Sequence, residues 1–162
     1  MATIKLVRID TRLVHGQICT RWCKELDVNR IIVVDDALSQ DSFMSQIYKS
    51  VVPKTAPLTI YSVEEAIEQW KQDEFGAGVA FLIVGSVKTA YLLYKGGFPI
   101  EKLNVGNLVK GPEKKKIAES AFLDEEEYTM LKEMHDHDTY IFVQGIPDTK
   151  KYEFNVIQDK FK

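Results

Sequence analysis

The sequence predicts an α/β fold, a single-domain, open, mostly parallel twisted sheet of about six or seven strands with helices on both faces. Two observations carry this prediction. Short β-branched runs alternate along the chain with longer segments whose apolar residues recur at helical spacing. The run at residues 79–84 is also continuously apolar, as expected of a central parallel strand covered on both faces. With 162 residues, the chain is long enough to bury such a core without disulfides.

The predicted strands are apolar or β-branched runs bounded by charged or turn residues. Residues 30–34, Arg-Ile-Ile-Val-Val, form the most β-branched run of the chain. A weaker extended stretch ends at Leu123. In chain order the strands are residues 4–9, 30–34, 57–61, 79–84, 103–105 and 140–143.

The predicted helices begin at residues that can cap them. Ser62 with Glu65, and Asp124 with Glu127, have the spacing of a capping box, and Ser86 is a candidate N-cap. Glycines or a proline then end the apolar stripes. The helices are predicted over residues 17–26, 41–51, 63–70, 87–95, 124–135 and 151–161.

Composition excludes several classes of protein. Lys plus Arg is 21 and Asp plus Glu is 24, so a net charge of −3 gives no general attraction to nucleic acid. Cys19 and Cys23 are too few for a disulfide framework. No apolar run approaches the roughly 20 residues of a membrane-spanning helix, and residues 1–5 lack a signal-peptide layout. We therefore expect a cytoplasmic protein without a cofactor or a metal.

A parallel sheet of this kind places its functional site at the carboxyl ends of the strands. That rule selects the loops at residues 10–16, 35–39 and 85–86. The first loop is the richest, because Arg8, Asp10, Arg12 and His15 fall within eight positions. Neutral imidazole is a nucleophile near pH 7, and arginine binds phosphoryl oxygens with paired hydrogen bonds. The pattern favours phosphate chemistry, and its alternative is a capping histidine whose neighbouring arginines pair with surface acids.

Residues 8–17 resemble the N-terminal motif of a known protein family, and they read Arg-Ile-Asp-Thr-Arg-Leu-Val-His-Gly-Gln. Its members are the IIB components of the mannose/fructose/sorbose family of the bacterial phosphoenolpyruvate-dependent sugar phosphotransferase system (PTS). Further matches are Asp35-Asp36, residues 104–107 and residues 142–147, so the resemblance covers nearly the whole chain.

The resemblance implies a single IIB phosphocarrier domain over residues 1–162. In that family the histidine matching His15 takes a phosphoryl group on Nδ1 from a IIA protein. It then passes the group to a sugar of the mannose, fructose, sorbose or N-acetylgalactosamine class held by the IIC and IID membrane components. This is the activity of a protein-histidine phosphate:sugar phosphotransferase of the EC 2.7.1 class. Residues 104–107 and 142–145 are slightly more similar to the galactosamine-type branch of the family than to the mannose-type branch.

The resemblance also assigns roles around the histidine. Arg12 and Asp10 match the residues that flank the family histidine and are the further catalytic candidates. The residues expected to bind the phosphoryl oxygens, through side chains or backbone N–H groups, are Arg8, Gly16, Gln17, Ser86 and Val87. The protein would lie peripherally on the membrane transporter complex, and the family allows a homodimer.

Two other functions stay open from the residues alone. A histidine-type phosphatase or mutase also has a histidine and a glycine after its first strand. It usually carries an arginine where this chain has Val14, and it needs a second histidine in the pocket. A non-catalytic module would instead bind a phosphorylated ligand with Arg8 and Arg12. The basic loop at residues 110–116 is either a solvated loop or a docking surface.

Overall fold

The computed structural model describes residues 1–162 and contains a seven-stranded sheet together with a two-stranded hairpin. The strands are β1 (Thr3–Asp10), β2 (Arg30–Val34), β3 (Leu58–Tyr61), β4 (Val79–Val84), β5 (Lys102–Asn107), β6 (Lys115–Ala118), β7 (Ala121–Leu123), β8 (Tyr140–Val143) and β9 (Tyr152–Glu153). The helices are α1 (Gly16–Leu26), α2 (Asp36–Ser39), α3 (Ser42–Val51), α4 (Val63–Asp73), α5 (Val87–Lys95), α6 (Glu125–Asp136) and α7 (Phe154–Lys160).

The strand order in the main sheet is β3-β2-β4-β1-β5-β8-β9. All neighbouring strands run parallel except β8 and β9, which are antiparallel. The predicted mostly parallel sheet of six or seven strands is therefore confirmed. Because β1 lies between β4 and β5, the loop after β1 has the loops after both of these strands as neighbours.

The two faces of the sheet carry different helices. Side chains of β1 alternate, so Leu6 belongs to the buried cluster under α1, α2 and α3, whereas Val7 and Ile9 belong to the cluster under α4 to α7. On the first face Trp22 of α1 packs against Phe81 of β4, with ring centroids 6.5 Å apart. The helix after β1 thus lies on the opposite face from the helix after β4, which opens a crevice between them.

The predicted caps are present. Ser62 with Glu65 and Asp124 with Glu127 form reciprocal capping boxes, and the Ser86 hydroxyl accepts a hydrogen bond from the backbone N–H of Thr89. The longest helix, α6, has 12 residues. No helix is both long enough and apolar enough to cross a bilayer.

Several elements differ from the sequence prediction. The single turn of α2 escapes notice because four residues show no period, and the weak stretch before Leu123 is the hairpin β6–β7. The tail predicted as a helix over residues 151–161 begins its helix only at Phe154. Tyr152 and Glu153 instead pair with β8 as an edge strand.

Candidate active site

Asp10 is the centre of the site, at the carboxyl end of β1. It is 1% exposed, and its carboxylate accepts hydrogen bonds from two arginines. Arg12 contacts it with Nε at 3.0 Å, with Nη2 at 2.9 Å and with its own backbone N–H at 2.9 Å. Arg8 contributes Nη2 at 3.1 Å. One buried carboxylate therefore fixes the orientation of the Arg12 guanidinium, whose side chain is 36% exposed.

Arg8 faces inward along β1. Its Nη1 donates to Asn104 Oδ1 at 2.6 Å and to the backbone carbonyl of Gln144 at 3.1 Å, and its guanidinium lies 5.4 Å from the ring centroid of Trp22. Burial lowers the pKa of Arg8, while the carboxylate of Asp10 opposes that effect. Arg8 thereby ties β1 to β5 and β8 through a buried charge that Asp10 balances.

The prediction that Arg8 contacts the phosphoryl group does not fit this placement. Only 2% of Arg8 is exposed, so its guanidinium cannot touch an anion at the surface. Arg8 and Asp10 are two residues apart on one strand and share a face with Leu6, which points toward the core. In the structure Arg8 holds Asp10, whereas the guanidinium of Arg12 reaches the surface.

A β-bulge makes room for Arg8. Ile9 pairs with Val105 and Asp10 pairs with Asn107, so Gly106 is the extra residue in β5. A Cβ added at Gly106 would overlap the Arg8 guanidinium. This arrangement explains physically why a glycine stands in the Asn-Val-Gly-Asn run.

The loop that follows Asp10 is held at both ends. The backbone N–H of Thr11 donates to the Asn107 carbonyl at 2.9 Å, and that of Leu13 donates to the Asp10 carbonyl at 2.9 Å. Leu13 has φ 58°, a left-handed conformation that costs a non-glycine residue roughly 1–2 kcal/mol. Val14 is buried and anchors the far end. Strain of this kind persists only where the surroundings enforce it, and it is typical of functional loops.

His15 is the N-cap residue of α1 and is exposed. Its ring makes no hydrogen bond within the chain, so both ring nitrogens face solvent or a partner. Its backbone carbonyl accepts from the N–H of Cys19 at 2.9 Å, as a capping residue does. Gly16 and Gln17 are the first two residues of α1, and the first turn holds no acidic residue. An anion on His15 would therefore meet free backbone N–H groups and the positive end of the helix dipole.

The predicted loops converge on this edge of the sheet. Strands β1 and β4 are neighbours, with Ile9 opposite Val84, so the β4–α5 turn adjoins the β1 loop. A Cβ placed on Gly85 would lie 3.4 Å from Leu13 Cδ2 and 3.5 Å from Asp35 Oδ1. Ser86 and Val87 open α5 at this position. Because the Val87 side chain is fully buried, only its backbone could reach a ligand.

A second crevice lies on the other side of β1, and sequence reasoning missed it. It is a cavity of about 380 Å³ with Arg12 at its border and walls that include Asn107, Ser120, Gln144 and Thr149. The walls come from β5, the hairpin and the loop after β8. Two runs that border this cavity, residues 104–107 and 142–147, stood out in the sequence only because they resemble the family, and not as part of a cavity.

The two cysteines and the basic loop make contacts within the chain. Cys19 and Cys23 are buried in α1, where the hydrogen bond between the two thiols raises the pKa of Cys19 and lowers that of Cys23. In the basic loop, Lys114 pairs with Glu127 at 3.2 Å and Lys116 pairs with Glu119 at 3.1 Å.

His135 and His137 lie far from His15 in the fold. His135 stacks on Phe154 with ring centroids 4.1 Å apart, and His137 Nδ1 lies 2.8 Å from the Glu133 carbonyl. Both follow or end α6 just before β8 begins, so they occupy the amino edge of the sheet. The phosphatase alternative needs a second histidine beside His15, and the structure provides none.

Comparison with known proteins gives one consistent family. The family model of the PTS system sorbose subfamily IIB component matches residues 4–162. The PTS system sorbose-specific EIIB component of Lacticaseibacillus casei is 31% identical over 132 residues, which are 82% of this chain and 80% of that protein. The PTS system mannose-specific EIIAB component of Escherichia coli (strain K12) is 30% identical over 132 residues, which are 82% of this chain and 41% of that protein.

A solved structure gives the same result. The crystal structure of manxB from Thermoanaerobacter tengcongensis has a TM-score of 0.92 and 33% identity to this chain, covering 99% of this chain and 98% of that one. The fold and the family matches define a phosphotransferase component of a sugar transport system. The chain belongs to the sorbose subfamily of PTS IIB components. Components of this kind work with IIA and with IIC and IID partners.

Proposed function

We propose that residues 1–162 form one IIB phosphocarrier domain in which His15 carries the phosphoryl group. A IIA protein donates the group, and a sugar bound at the IIC and IID membrane components receives it. The observation that carries this proposal is the exposed, unpartnered imidazole of His15 at the start of α1, beside an arginine that buried Asp10 orients. The name of the mannose relative, an EIIAB component, supports a IIA donor.

The transfer is a displacement at phosphorus. A lone pair on His15 Nδ1 attacks the phosphoryl group, the bond between phosphorus and the donor nitrogen breaks, and the donor histidine keeps the electron pair. Catalysis of such a step consists mainly of positioning and charge stabilisation. Arg12 binds the phosphoryl oxygens, and the backbone N–H groups of Gly16 and Gln17 add donors at the helix start. Ser86 and Val87 offer a second set of backbone donors across the crevice.

In the second half of the reaction His15 is the donor. A sugar hydroxyl oxygen bonds to phosphorus and loses its proton, while the phosphorus–nitrogen bond breaks and Nδ1 of His15 keeps the electron pair, which is an EC 2.7.1-type transfer. The sugar belongs to the mannose, fructose, sorbose or N-acetylgalactosamine class, with the galactosamine-type runs favouring the last. A protein in this role acts in the cytoplasm as a peripheral part of the transporter.

The experiment is phosphorylation of the purified protein by the phosphoenolpyruvate-driven donor chain ending in a cognate IIA. We expect an acid-labile phosphate that returns to IIA, and none on His15→Ala. The same label should pass to sugar when membranes containing IIC and IID are added. A phosphate that forms from small phosphoesters and is lost to water, or no phosphate on a folded protein, would refute the carrier function.

A further inference from the structure

The outward face of α3 is an apolar stripe. Phe43, Ile47 and Val51 are spaced i, i+4 and i+8, and they are 73%, 41% and 45% exposed. No residue of α3 is buried, although the helix has ten residues. The other exposed large apolar side chains of the molecule belong to separate elements, and they are Met1, Leu92, Val109 and Tyr140. A contiguous apolar stripe on one helix face is typical of an interaction surface, whereas single exposed apolar residues are not.

Helix α3, which carries the stripe, lies beside the loop that presents His15. The inner side of α3 packs Met44 and Tyr48 against the buried cluster under α1 and α2. The Tyr48 hydroxyl donates to the backbone carbonyl of Arg12 at 3.4 Å. Helix α3 therefore contacts the loop that presents His15, so a protein that covers the stripe lies close to that loop.

The charges beside the stripe are two lysines and the helix cap. Residues 42–54 contain Lys49 and Lys54, neither of which forms an ion pair, and the nearest acid along the chain is Asp41, whose carboxylate caps α3. The acids concentrate on the opposite face of the sheet. Helix α4 has four acids and one lysine, and α6 has five acids and one lysine. The face beside His15 is therefore close to neutral, whereas α4 and α6 on the far face are acidic.

We propose that the α3 stripe, defined as Phe43, Ile47 and Val51, docks the phosphorylated IIA donor. This inference rests on the proposed function. A phosphorylated donor brings negative charge to the loop, and Lys49 and Lys54, which form no ion pair within the chain, attract that charge. Cytoplasmic loops of membrane proteins are enriched in Lys and Arg, so two unpaired lysines beside the stripe suit the membrane components less well. Phe43 provides the aromatic anchor that protein interfaces favour, and a stripe of three residues suits a transient contact.

Ile47→Glu and Leu92→Glu form a matched pair for the test. Both residues are aliphatic, lie within a helix and are 41% exposed, but Leu92 belongs to α5 on the acidic face. The measurement is the steady-state phosphorylation of each variant by phosphorylated IIA. Ile47→Glu should raise the KM for phosphorylated IIA about tenfold or more with little change in kcat, because it places a carboxylate in the contact. Leu92→Glu should stay within about twofold of the wild type.

Phe43→Ser is a second variant, since 73% exposure makes it tolerant of change in the folded chain, and it should raise the same KM. If both folded variants, Ile47→Glu and Phe43→Ser, keep the wild-type KM for phosphorylated IIA, the proposal is overturned. The same holds if that KM is unchanged and sugar phosphorylation through the membrane components falls, because the stripe would then contact those components. A fall in oligomer mass by sedimentation, with donor KM unchanged, identifies a second copy as the occupant and also overturns it. If wild-type protein takes up no phosphate on His15, the proposed function itself fails, which separates the two failures.

Discussion

Two carboxylates in this molecule each bridge two donors, in different surroundings. Asp10 is buried at the end of β1 between Arg8 and Arg12. Glu133 lies on the surface of α6, where it accepts from the Tyr91 hydroxyl at 2.9 Å and from Lys95 Nζ at 3.2 Å. These bonds hold the pKa of Glu133 below its usual value.

The two clusters differ in whether solvent can take the place of the carboxylate when it is removed. Around Glu133, solvent can solvate Tyr91 and Lys95 if the carboxylate is lost, so the cluster contributes little to stability. Arg8, by contrast, is 2% exposed, so without Asp10 its charge would remain in the core with no carboxylate to balance it. The surface cluster joins α5 to α6, whereas the buried one fixes the geometry of the β1 loop. We therefore expect the geometry of the candidate site to depend on the Asp10 cluster.

The largest expected effect is that of Asp10→Ala. It leaves the guanidinium of Arg8 buried without its carboxylate, which should cost about 3–5 kcal/mol of the free energy of unfolding. Urea denaturation measures this loss, with Glu133→Ala as the surface control. A denaturation midpoint for Asp10→Ala as close to wild type as that of the control would remove the contrast between the clusters.

Arg12→Lys tests whether the orientation of the Arg12 guanidinium matters for phosphoryl transfer. Lysine cannot reproduce the paired contacts of Nε and Nη2 with Asp10, so the cation loses its fixed orientation. We expect the rate of phosphoryl transfer to fall roughly 10–100-fold, as for the loss of a hydrogen bond to a charged group. The free energy of unfolding should fall by about 1–3 kcal/mol, less than for Asp10→Ala, because Arg8 still pairs with Asp10. Wild-type transfer rates in Arg12→Lys would show that orientation by Asp10 has no part in the reaction.

Gly106→Ala tests how tightly Arg8 of the Asp10 cluster is packed against β5. The added methyl would overlap the Arg8 guanidinium, and Arg8 is held by bonds to Asn104 and Asp10. Overpacking of this kind should cost about 1–3 kcal/mol of unfolding free energy. Gly111→Ala is the control, because its Cβ would meet only Lys114 at ordinary contact distances. Equal stabilities for the two variants, by urea denaturation, would argue against a rigid Arg8.

Glu133→Gln should have the smallest effect, confined to acid pH. Because the folded-state pKa of Glu133 is lowered, its contribution is complete above its ordinary pKa of about 4.3 and disappears as the pH falls through the lowered value. The variant should therefore be slightly less stable than wild type at pH 7 and converge with it toward pH 3. Urea denaturation along that pH range measures the difference, and a gap that widens as the pH falls would contradict the assignment.

Much of the fold could be predicted because β-branched runs and capping residues are local signals. The strands β2, β4 and β8 and the helix α5 have the predicted bounds. The short α2 and the hairpin β6–β7 lack such signals. The four residues of α2 are too few to show a helical period of apolar residues, and the lysines of β6 do not fit the apolar pattern of a strand. The edge strand β9 forms only because β8 is present beside it.

The site was predictable to the level of the loops. The convergence of the loops after β1, β2 and β4 follows from the rule for parallel sheets, and the structure bears it out. The inward direction of Arg8 did not follow from its residue type, because arginines are mostly exposed. The alternation of β1, with Leu6, Arg8 and Asp10 on one face, was the signal that could have revealed it. The cavity beside Arg12 depends on long-range packing of β5 and β8, which no local pattern encodes.

The most direct test of the central claim is to locate the phosphoryl group on the wild-type protein. After phosphorylation by IIA, nuclear magnetic resonance of ¹⁵N-labelled protein can show which ring nitrogen couples to phosphorus. We predict a single phosphohistidine, on Nδ1 of His15, with His135 and His137 unmodified. Phosphate on either of those histidines, or an acyl phosphate on Asp35 or Asp36, would contradict the account that places the reaction at the start of α1.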